Sequence, residues 1–217
     1  VAAYPNAVYD LVIPSKINGK IVTTIGSNAF PYVYNENLTH IITSLVIPNT
    51  VTDIESGAFS GSGLSELLIP NSVVTIGYAA FEGHYLDSLT IGNSVVTIGP
   101  RAFRNHSISN LVIPNSVVTI GTEAFSRVGQ YASFTDLVLG NNVQLIGDSA
   151  FGGHNLSTVV IPSSVNYLGN GAFWGSNFDE IFFLGDMPEM ALDQEDGITT
   201  QSVFSLFPQG YQEARTY

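Results

Sequence analysis

Apolar and polar residues alternate along this chain in short units that recur with a fixed period. An Ala-Phe pair marks each unit, and its seven occurrences are separated by 29, 22, 22, 22, 26 and 22 residues: Ala29-Phe30, Ala58-Phe59, Ala80-Phe81, Ala102-Phe103, Ala124-Phe125, Ala150-Phe151 and Ala172-Phe173. A period of 22 residues, lengthened by seven residues in the first interval and by four in the fifth, is typical of a solenoid, in which each supersecondary unit stacks on the next. The pattern therefore predicts a repeat solenoid of about eight coils of roughly 22 residues each.

Each unit opens with apolar residues three and then two positions apart, as in Ile108-Leu111-Ile113. Alternation with a period of two indicates a short β-strand with one buried face. Proline, which cannot donate a hydrogen bond to a sheet, follows the strand in four units and is expected to end it there: Pro48, Pro70, Pro114 and Pro162.

A second apolar pair, such as Val95 with Ile98, leads into a turn that ends in Ala-Phe. Glycine stands at the start of this turn in six units: Gly26, Gly77, Gly99, Gly121, Gly147 and Gly169. Glycine suits a corner with positive φ. Glu55 occupies the same position in one unit, which indicates that positive φ is not obligatory there. The following four residues, such as PRAF with Pro100 first, are typical of one helical turn. The phenylalanines are expected to stack from coil to coil as an aromatic spine.

The combined pattern LxxLxIP-x-S-V-x-x-IG-x-x-AF resembles the BspA-like leucine-rich repeats, and it extends from about Val8 to Phe183. This resemblance implies an α/β repeat solenoid: a right-handed leucine-rich-repeat horseshoe with short parallel strands on the concave face and short helical turns on the convex face. It also implies a bacterial-type secreted or cell-surface protein associated with adhesion. The family often has Cys three residues after the Phe, where this chain has Ser62, His84, His106, Val128, His154 and Ser176.

The unit pattern divides the chain into two parts. Residues 1–186 are expected to form the solenoid, with a first repeat carrying insertions at 8–44, regular repeats at 45–180 and a last strand at 181–184. Residues 187–217 are expected to form an acidic irregular loop and a C-terminal cap that includes Phe204 and Phe207. The chain opens without a signal-peptide pattern and stops without an obvious cap, so we expect it to be a fragment of a longer protein.

The strands place an apolar row beside an acidic and polar row on their outward face, which is the kind of surface that binds proteins. The candidate ligand-binding residues on this concave face are Glu66, Leu68, Thr90, Asn110, Val112, Asp136, Val138, Val160, Glu180 and Phe182. Phe182 is the best single anchor, since aromatic residues dominate binding hot spots. The alternative is that β-branched residues simply favour strands and that exposed valine is ordinary.

Four further features have a structural and a functional interpretation. His84, His106 and His154 share one column and are expected to be packed and hydrogen-bonded, because three histidines without a carboxylate are a weak zinc signal. The asparagine column is expected to bond turn backbone: Asn49, Asn71, Asn93, Asn115 and Asn141. The acidic stretch before Gly197 lacks the spacing of a calcium loop. Insertions carrying Tyr32, Tyr34 and Tyr131 are a second candidate contact region.

Charge and composition narrow the classes of partner. The chain has 18 acidic and 6 basic residues and a net charge of −12, which argues against nucleic acid or an anionic membrane as partner. No apolar run approaches the roughly 18 residues of a membrane span. Cysteine is absent, and no nucleophile elbow, phosphate-binding loop or isolated carboxylate pair is present, so we expect no enzyme activity, metal or cofactor.

These observations favour a non-enzymatic binding module of a secreted or cell-surface adhesin-like protein. Its expected partner is a protein or glycan ligand, with extracellular-matrix proteins among the candidates. Two alternatives stay open: a rigid spacer that holds another domain away from the cell envelope, and a targeting module for a domain outside this segment.

Overall fold

Short strands recur through the described part of the chain, as the period-two alternation predicts. The structure is a computed structural model that describes residues 8–30, 34–35, 38–39, 41–61, 63–84, 86–129, 134–176, 178–185 and 189–190. In chain order the strands are β1 (Val8–Val12), β2 (Lys16–Ile17), β3 (Lys20–Ile21), β4 (Thr24–Ile25), β5 (Tyr34–Asn35), β6 (Leu38–Thr39), β7 (Ile41–Val46), β8 (Asp53–Ile54), β9 (Glu66–Leu68), β10 (Thr75–Ile76), β11 (Ser88–Thr90), β12 (Thr97–Ile98), β13 (Asn110–Val112), β14 (Thr119–Ile120), β15 (Asp136–Val138), β16 (Leu145–Ile146), β17 (Thr158–Ile161), β18 (Tyr167–Leu168), β19 (Glu180–Phe183) and β20 (Glu189–Met190).

One continuous parallel sheet runs the length of the solenoid. Its eight strands, in order, are β4, β8, β10, β12, β14, β16, β18 and β20, and each is the second strand of its coil. The first strands of the coils pair in twos instead, as β1–β7, β9–β11, β13–β15 and β17–β19, all parallel. Two antiparallel hairpins, β2–β3 and β5–β6, lie in the insertions of the first repeat.

Complete coils, each with two strands and an Ala-Phe turn, number six in the described residues, beginning at β7 and ending at the Phe173 turn. The expectation of about eight coils counted an irregular unit at each end. At the start, the hairpin β2–β3 separates the strands β1 and β4, and at the end β20 has no described turn after it. The right-handed sense and the horseshoe curvature stay predictions.

The residue type just after the first strand explains two of the four pairs, β9–β11 and β13–β15. Glycine takes this position after β11 and β15, and a Cβ at Gly92 or Gly140 would overlap the carbonyl oxygen of Pro70 or Pro114 in the preceding coil. The absence of a Cβ therefore allows β11 to approach β9 and β15 to approach β13. Proline at 114 fills the same position after β13, which forms no ladder with β11. The pair β1–β7 forms although Pro14 and Pro48 both follow their strands.

The prediction of helical turns is wrong for the described residues, none of which is helical. The residue before each Ala-Phe pair has a positive φ of 50° to 63°, which breaks a right-handed helix: Asn28, Gly57, Ala79, Arg101, Glu123, Ser149 and Gly171. Backbone N–H groups then alternate between their own turn and the next coil. Ala80 N–H donates to Gly77 O at 3.4 Å, whereas Phe81 N–H donates to Ala102 O at 2.8 Å.

The glycine that opens the turn does not have a positive φ, so the predicted reason for glycine at this corner is also wrong. Close approach of the coils explains most of the column. A Cβ at Gly99 would lie 2.7 Å from the carbonyl carbon of Gly77 and 2.8 Å from Ile76 O. A side chain there requires backbone movement in the preceding coil.

The predicted aromatic spine is confirmed. Phe30, Phe59, Phe81, Phe103, Phe125, Phe151 and Phe173 stack in order, with centroids 5.2 to 5.5 Å apart and rings within 13° of parallel. The strand residues and the alanines of the turns complete one continuous buried cluster along the axis. Each coil is therefore held to its neighbours by the spine, by the turn hydrogen bonds and by the eight-stranded sheet.

Candidate functional site: the outward strand face

The predicted ligand-binding residues lie on the outward side of β9, β11, β13, β15, β17 and β19, which we call the outward strand face. Nine of the ten are exposed, and the tenth, Phe182, is half-buried. The large apolar members are exposed to 62% at Leu68, 61% at Val112, 57% at Val138 and 46% at Val160. The strand pattern predicted the exposure of these side chains correctly. Phe182, which was expected to be the best anchor for a ligand, is less exposed than predicted.

Pairing in twos brings the candidate residues together in three blocks. Leu68 lies beside Thr90, Val112 beside Val138, and Val160 beside Phe182. No ladder hydrogen bonds join β11 to β13 or β15 to β17. The outward strand face is thus a series of two-strand blocks along the axis.

The outward strand face is electronegative. Glu66, Asp136 and Glu180 are exposed on it, and the described ion pairs all lie elsewhere, on the turns. Asp136 accepts a hydrogen bond from Thr135 Oγ1 at 3.0 Å, and the side-chain amide of Asn110 can donate to the same oxygen at 3.1 Å. These bonds fix one carboxylate in place at the centre of the face.

The histidine column has the structural role that the sequence predicted. His84, His106 and His154 are at most 2% exposed. His84 accepts a hydrogen bond from Leu64 N–H at Nδ1 (3.2 Å), and its Nε2 bonds Phe59 O at 2.7 Å. No group of three or more His, Asp or Glu residues suited to a metal ion occurs within the described ranges.

The insertion after Phe125 changes the spacing of this column. Val128, in the histidine position of its coil, is 66% exposed, and the rings of His106 and His154 stack across the gap with centroids 5.3 Å apart. Both Nε2 atoms bond the same carbonyl, Phe125 O, at 3.3 and 2.7 Å.

Burial lowers the pKa of all three imidazoles. The pKa falls from 6.5 to about 4 for His84 and His154, and to about 3 for His106, where the nearby His154 and Arg127 lower it further. Desolvation is the main cause in each case, and the hydrogen bond to a backbone carbonyl opposes it. The histidines are therefore neutral at physiological pH.

Two side chains of the asparagine column, those of Asn71 and Asn115, bond backbone as predicted. Asn71 Oδ1 accepts a hydrogen bond from Asn93 N–H, and Asn115 Oδ1 accepts one from Asn141 N–H, both at 2.8 Å. Each bond joins one coil to the next. These side chains are thus occupied in holding the coils together.

Sequence reasoning missed a charge network on the turns. Arg101 contacts Glu123 at 2.7 Å, and Arg104 contacts Glu82 at 3.1 Å and Glu123 at 3.3 Å. The signal was available, because Glu82 and Arg104, like Arg101 and Glu123, are exactly one 22-residue period apart. Opposite charges one period apart lie side by side on adjacent coils.

Several predicted features lie outside the described residues: Tyr32, Tyr131, the acidic stretch before Gly197, and the cap residues Phe204 and Phe207. The side chain of Tyr34 is likewise not described. Among the residues that are described, none belongs to a helix with the length and apolarity that crossing a membrane requires.

Solved protein structures are similar to this chain. The pneumococcal vaccine antigen PcpA matches with a TM-score of 0.52 and 24% identity, over 79% of this chain and 39% of that one. A leucine-rich repeat protein from Bacteroides ovatus matches with a TM-score of 0.47 and 23% identity, over 84% of this chain and 59% of that one. A leucine-rich cell surface protein from Faecalibacterium prausnitzii matches with a TM-score of 0.38 and 22% identity, over 77% and 50%.

This chain therefore spans between 39% and 59% of the length of those solved chains. No curated protein matches it. The model of the BspA type leucine-rich repeat region matches residues 23–135 and 129–193, in six copies. Six copies agree with the six complete coils, and the matched residues make up most of the chain. The chain belongs to the BspA-type leucine-rich repeat family.

Proposed function

We propose that this chain is a non-enzymatic binding module of an extracellular or cell-surface adhesin-like protein, and that the outward strand face binds a protein or glycan ligand. The observation that carries the proposal is the row of large apolar side chains, 46% to 62% exposed, beside the exposed carboxylates of Glu66, Asp136 and Glu180. Water-exposed apolar rows on a rigid scaffold are favourable contact surfaces, because burying them releases roughly 25 cal/mol per Å².

The proposed location rests on the repeat type and on the comparison with known structures. The repeats are of the BspA type, and the similar pneumococcal chain is described as a vaccine antigen. A net charge of −12 is compatible with a partner that carries basic groups. The proposed partner class is thus an extracellular macromolecule, without nucleic acid, cofactor or metal.

The test is binding of the purified chain to a panel of extracellular-matrix proteins and glycans, with and without calcium. Val112→Lys combined with Val138→Lys places two charges in the centre of the outward strand face and should abolish saturable binding. The matched control is Val74→Lys with Val96→Lys, since these valines are 39% and 38% exposed beside the strands of the long sheet. The control should bind as wild type, and both variants should keep the wild-type melting midpoint.

A ligand bound equally well by the Val112→Lys and Val138→Lys variant would place the site outside this face. Binding that requires calcium would assign a role to the acidic stretch that the sequence did not predict.

A rigid spacer is the second candidate, and one observation favours it. The aromatic spine and the eight-stranded sheet run without interruption from the first to the last described coil, which makes the segment stiff. A well-folded chain that binds no member of the panel would favour the spacer over the binding module.

A further inference from the structure

An exposed hairpin projects from the first repeat. Strands β2 and β3 are joined by Asn18-Gly19, whose φ values of 51° and 78° form the tight turn that best suits a two-residue hairpin. Every residue from Lys16 to Ile21 is exposed, including Ile17 at 55% and Ile21 at 59%. Both isoleucine side chains are largely exposed to solvent, and neither belongs to the outward strand face that is proposed to bind a ligand.

The hairpin combines these isoleucines with the two lysines of the chain. Lys16 lies opposite Ile21, and Ile17 lies opposite Lys20, so each face of the hairpin presents one apolar and one cationic side chain. Of the other cations in the described ranges, Arg101 and Arg104 form ion pairs on the turns, and Arg127 is buried at 4% exposure. Within the described ranges, the hairpin is therefore the exposed basic and apolar element of a strongly acidic chain.

The outward strand face is complementary to the hairpin, because it has exposed acidic side chains for the lysines and exposed apolar side chains for the isoleucines. Glu66 and Leu68 lie two residues apart on one strand, as do Asp136 and Val138, and all four are exposed. Side chains two apart on a strand are separated by about 7 Å. The cross-strand Ile and Lys of the hairpin are separated by roughly 5 Å, and the lysine side chain is long enough to span the difference.

We propose that the hairpin of one copy of this chain binds the outward strand face of a second copy, with isoleucine on the apolar row and lysine on the acidic row. The inference rests on the proposed function in one respect, that the outward strand face is a recognition surface. Because two different surfaces meet, the contact gives an open chain of copies, or a closed dimer where it is made reciprocally.

Sedimentation equilibrium on the full chain tests the proposal. The mass of the wild type should rise with concentration. Lys16→Glu with Lys20→Glu should weaken association at least about tenfold, whereas Lys16→Arg with Lys20→Arg, which keeps both charges, should leave it near wild type. Since all these positions are exposed, the melting midpoint should not change.

A charge exchange identifies the two surfaces as partners. Glu66→Lys with Asp136→Lys should also weaken self-association at least about tenfold, and an equimolar mixture with the Lys16→Glu, Lys20→Glu variant should restore it, because the reversed surfaces again match. A wild type that stays monomeric at every concentration, association that ignores the hairpin charges, or a mixture that fails to associate would each overturn the proposal.

These outcomes are separable from failure of the proposed function. The Lys16→Glu, Lys20→Glu variant retains an intact outward strand face and should still bind a ligand from the panel. Ligand binding by a chain that does not self-associate would reject only the second-copy contact. Absence of both would reject the face as a recognition surface.

Discussion

Glycine in the turn column is required by the spacing of the coils, and this requirement can be tested by placing a methyl group there. Gly99→Ala adds a Cβ that would lie 2.7 Å from the carbonyl carbon of Gly77 and 2.9 Å from Tyr78 N. Gly26→Ala is the matched substitution, because Gly26 holds the same position in the first repeat and its Cβ would have no atom within 4 Å. Neither residue has a positive φ, so φ strain does not enter the comparison.

The magnitude of the Gly99→Ala effect follows from this overlap. An ordinary contact needs about 3.4 Å or more, so the backbone of the preceding coil must move by several tenths of an ångström, and overpacking of this kind costs about 1–3 kcal/mol. For a chain of this size the melting midpoint should fall by about 2–4 °C for each kcal/mol. Gly26→Ala should be neutral or stabilising by up to about 1 kcal/mol, because alanine restricts the unfolded chain.

The assay is thermal and urea unfolding followed by far-ultraviolet circular dichroism, with Thr97→Ala as a second control in the same coil as Gly99. Thr97 is a half-buried strand residue, and its substitution tests whether any change in a central coil has the same effect. Equal midpoints for Gly99→Ala and Gly26→Ala would refute the argument that coil spacing selects glycine.

Three further outcomes are expected. Phe103→Ala, which removes a fully buried ring stacked on both sides, should cost about 3–5 kcal/mol in urea unfolding, and Phe30→Ala at the end of the spine clearly less; equal costs would contradict a continuous stack. Acidification should destabilise the chain, since the unfolded histidines bind protons at pH 6.5 and the folded ones only near 4 or below. The part of the free energy of unfolding that depends on neutral histidines is thus present above pH 6.5 and is lost as the pH falls below 6.5, by about 2 kcal/mol for each histidine at roughly pH 5. A thermal unfolding midpoint that does not change with pH would argue against burial of neutral histidines. Arg104→Ala should cost at most about 1 kcal/mol, because its ion pairs are partly exposed, and a larger loss would mean that the network is structural.

The period of the sequence predicted the parts of the fold that depend on burial. Phe81, Val95 and Leu111 recur at fixed intervals, and a residue that recurs in a solenoid faces the same neighbours in every coil, so the spine and the buried columns could be inferred from spacing alone. The exposure of Val112 and Leu68 followed from the same logic, since the strand period of two places them opposite the buried residues.

The conformation of the turn was not predictable in the same way. Residues as different as Asn28, Ala79, Arg101 and Glu123 have a positive φ, and none of them except Asn is a residue that favours it. The hydrogen bonds from one turn to the next coil impose this conformation, and such bonds are an effect of stacking rather than of local preference. The residue types within one unit therefore indicated a helical turn, whereas the stacked coils form a non-helical turn with one residue of positive φ.

Two of the four first-strand pairs, β9–β11 and β13–β15, could have been inferred, because their signal is in the sequence. Gly92 and Gly140 replace the proline that follows the other first strands of the regular coils, and a Cβ at either position would overlap the carbonyl oxygen of the proline in the preceding coil. At these two positions glycine indicates close approach of two coils. The position of Val128 was harder to infer, because the four-residue insertion turns it outward and lets His154 meet His106.

The turns, the second strands and the first strands of the coils differ in how they bond neighbouring coils, and this difference explains why the candidate site lies on the first strands. The turns and the long sheet bond every coil to the next, whereas the first strands do so only at alternate steps. Substitution at an outward position such as Val112 or Thr90 therefore removes no buried contact and breaks no continuous ladder, so side chains there can change with little loss of stability. A surface that can change while the scaffold stays constant is suited to acquire a ligand, and this physical freedom, rather than any single residue, favours the outward strand face as the recognition surface.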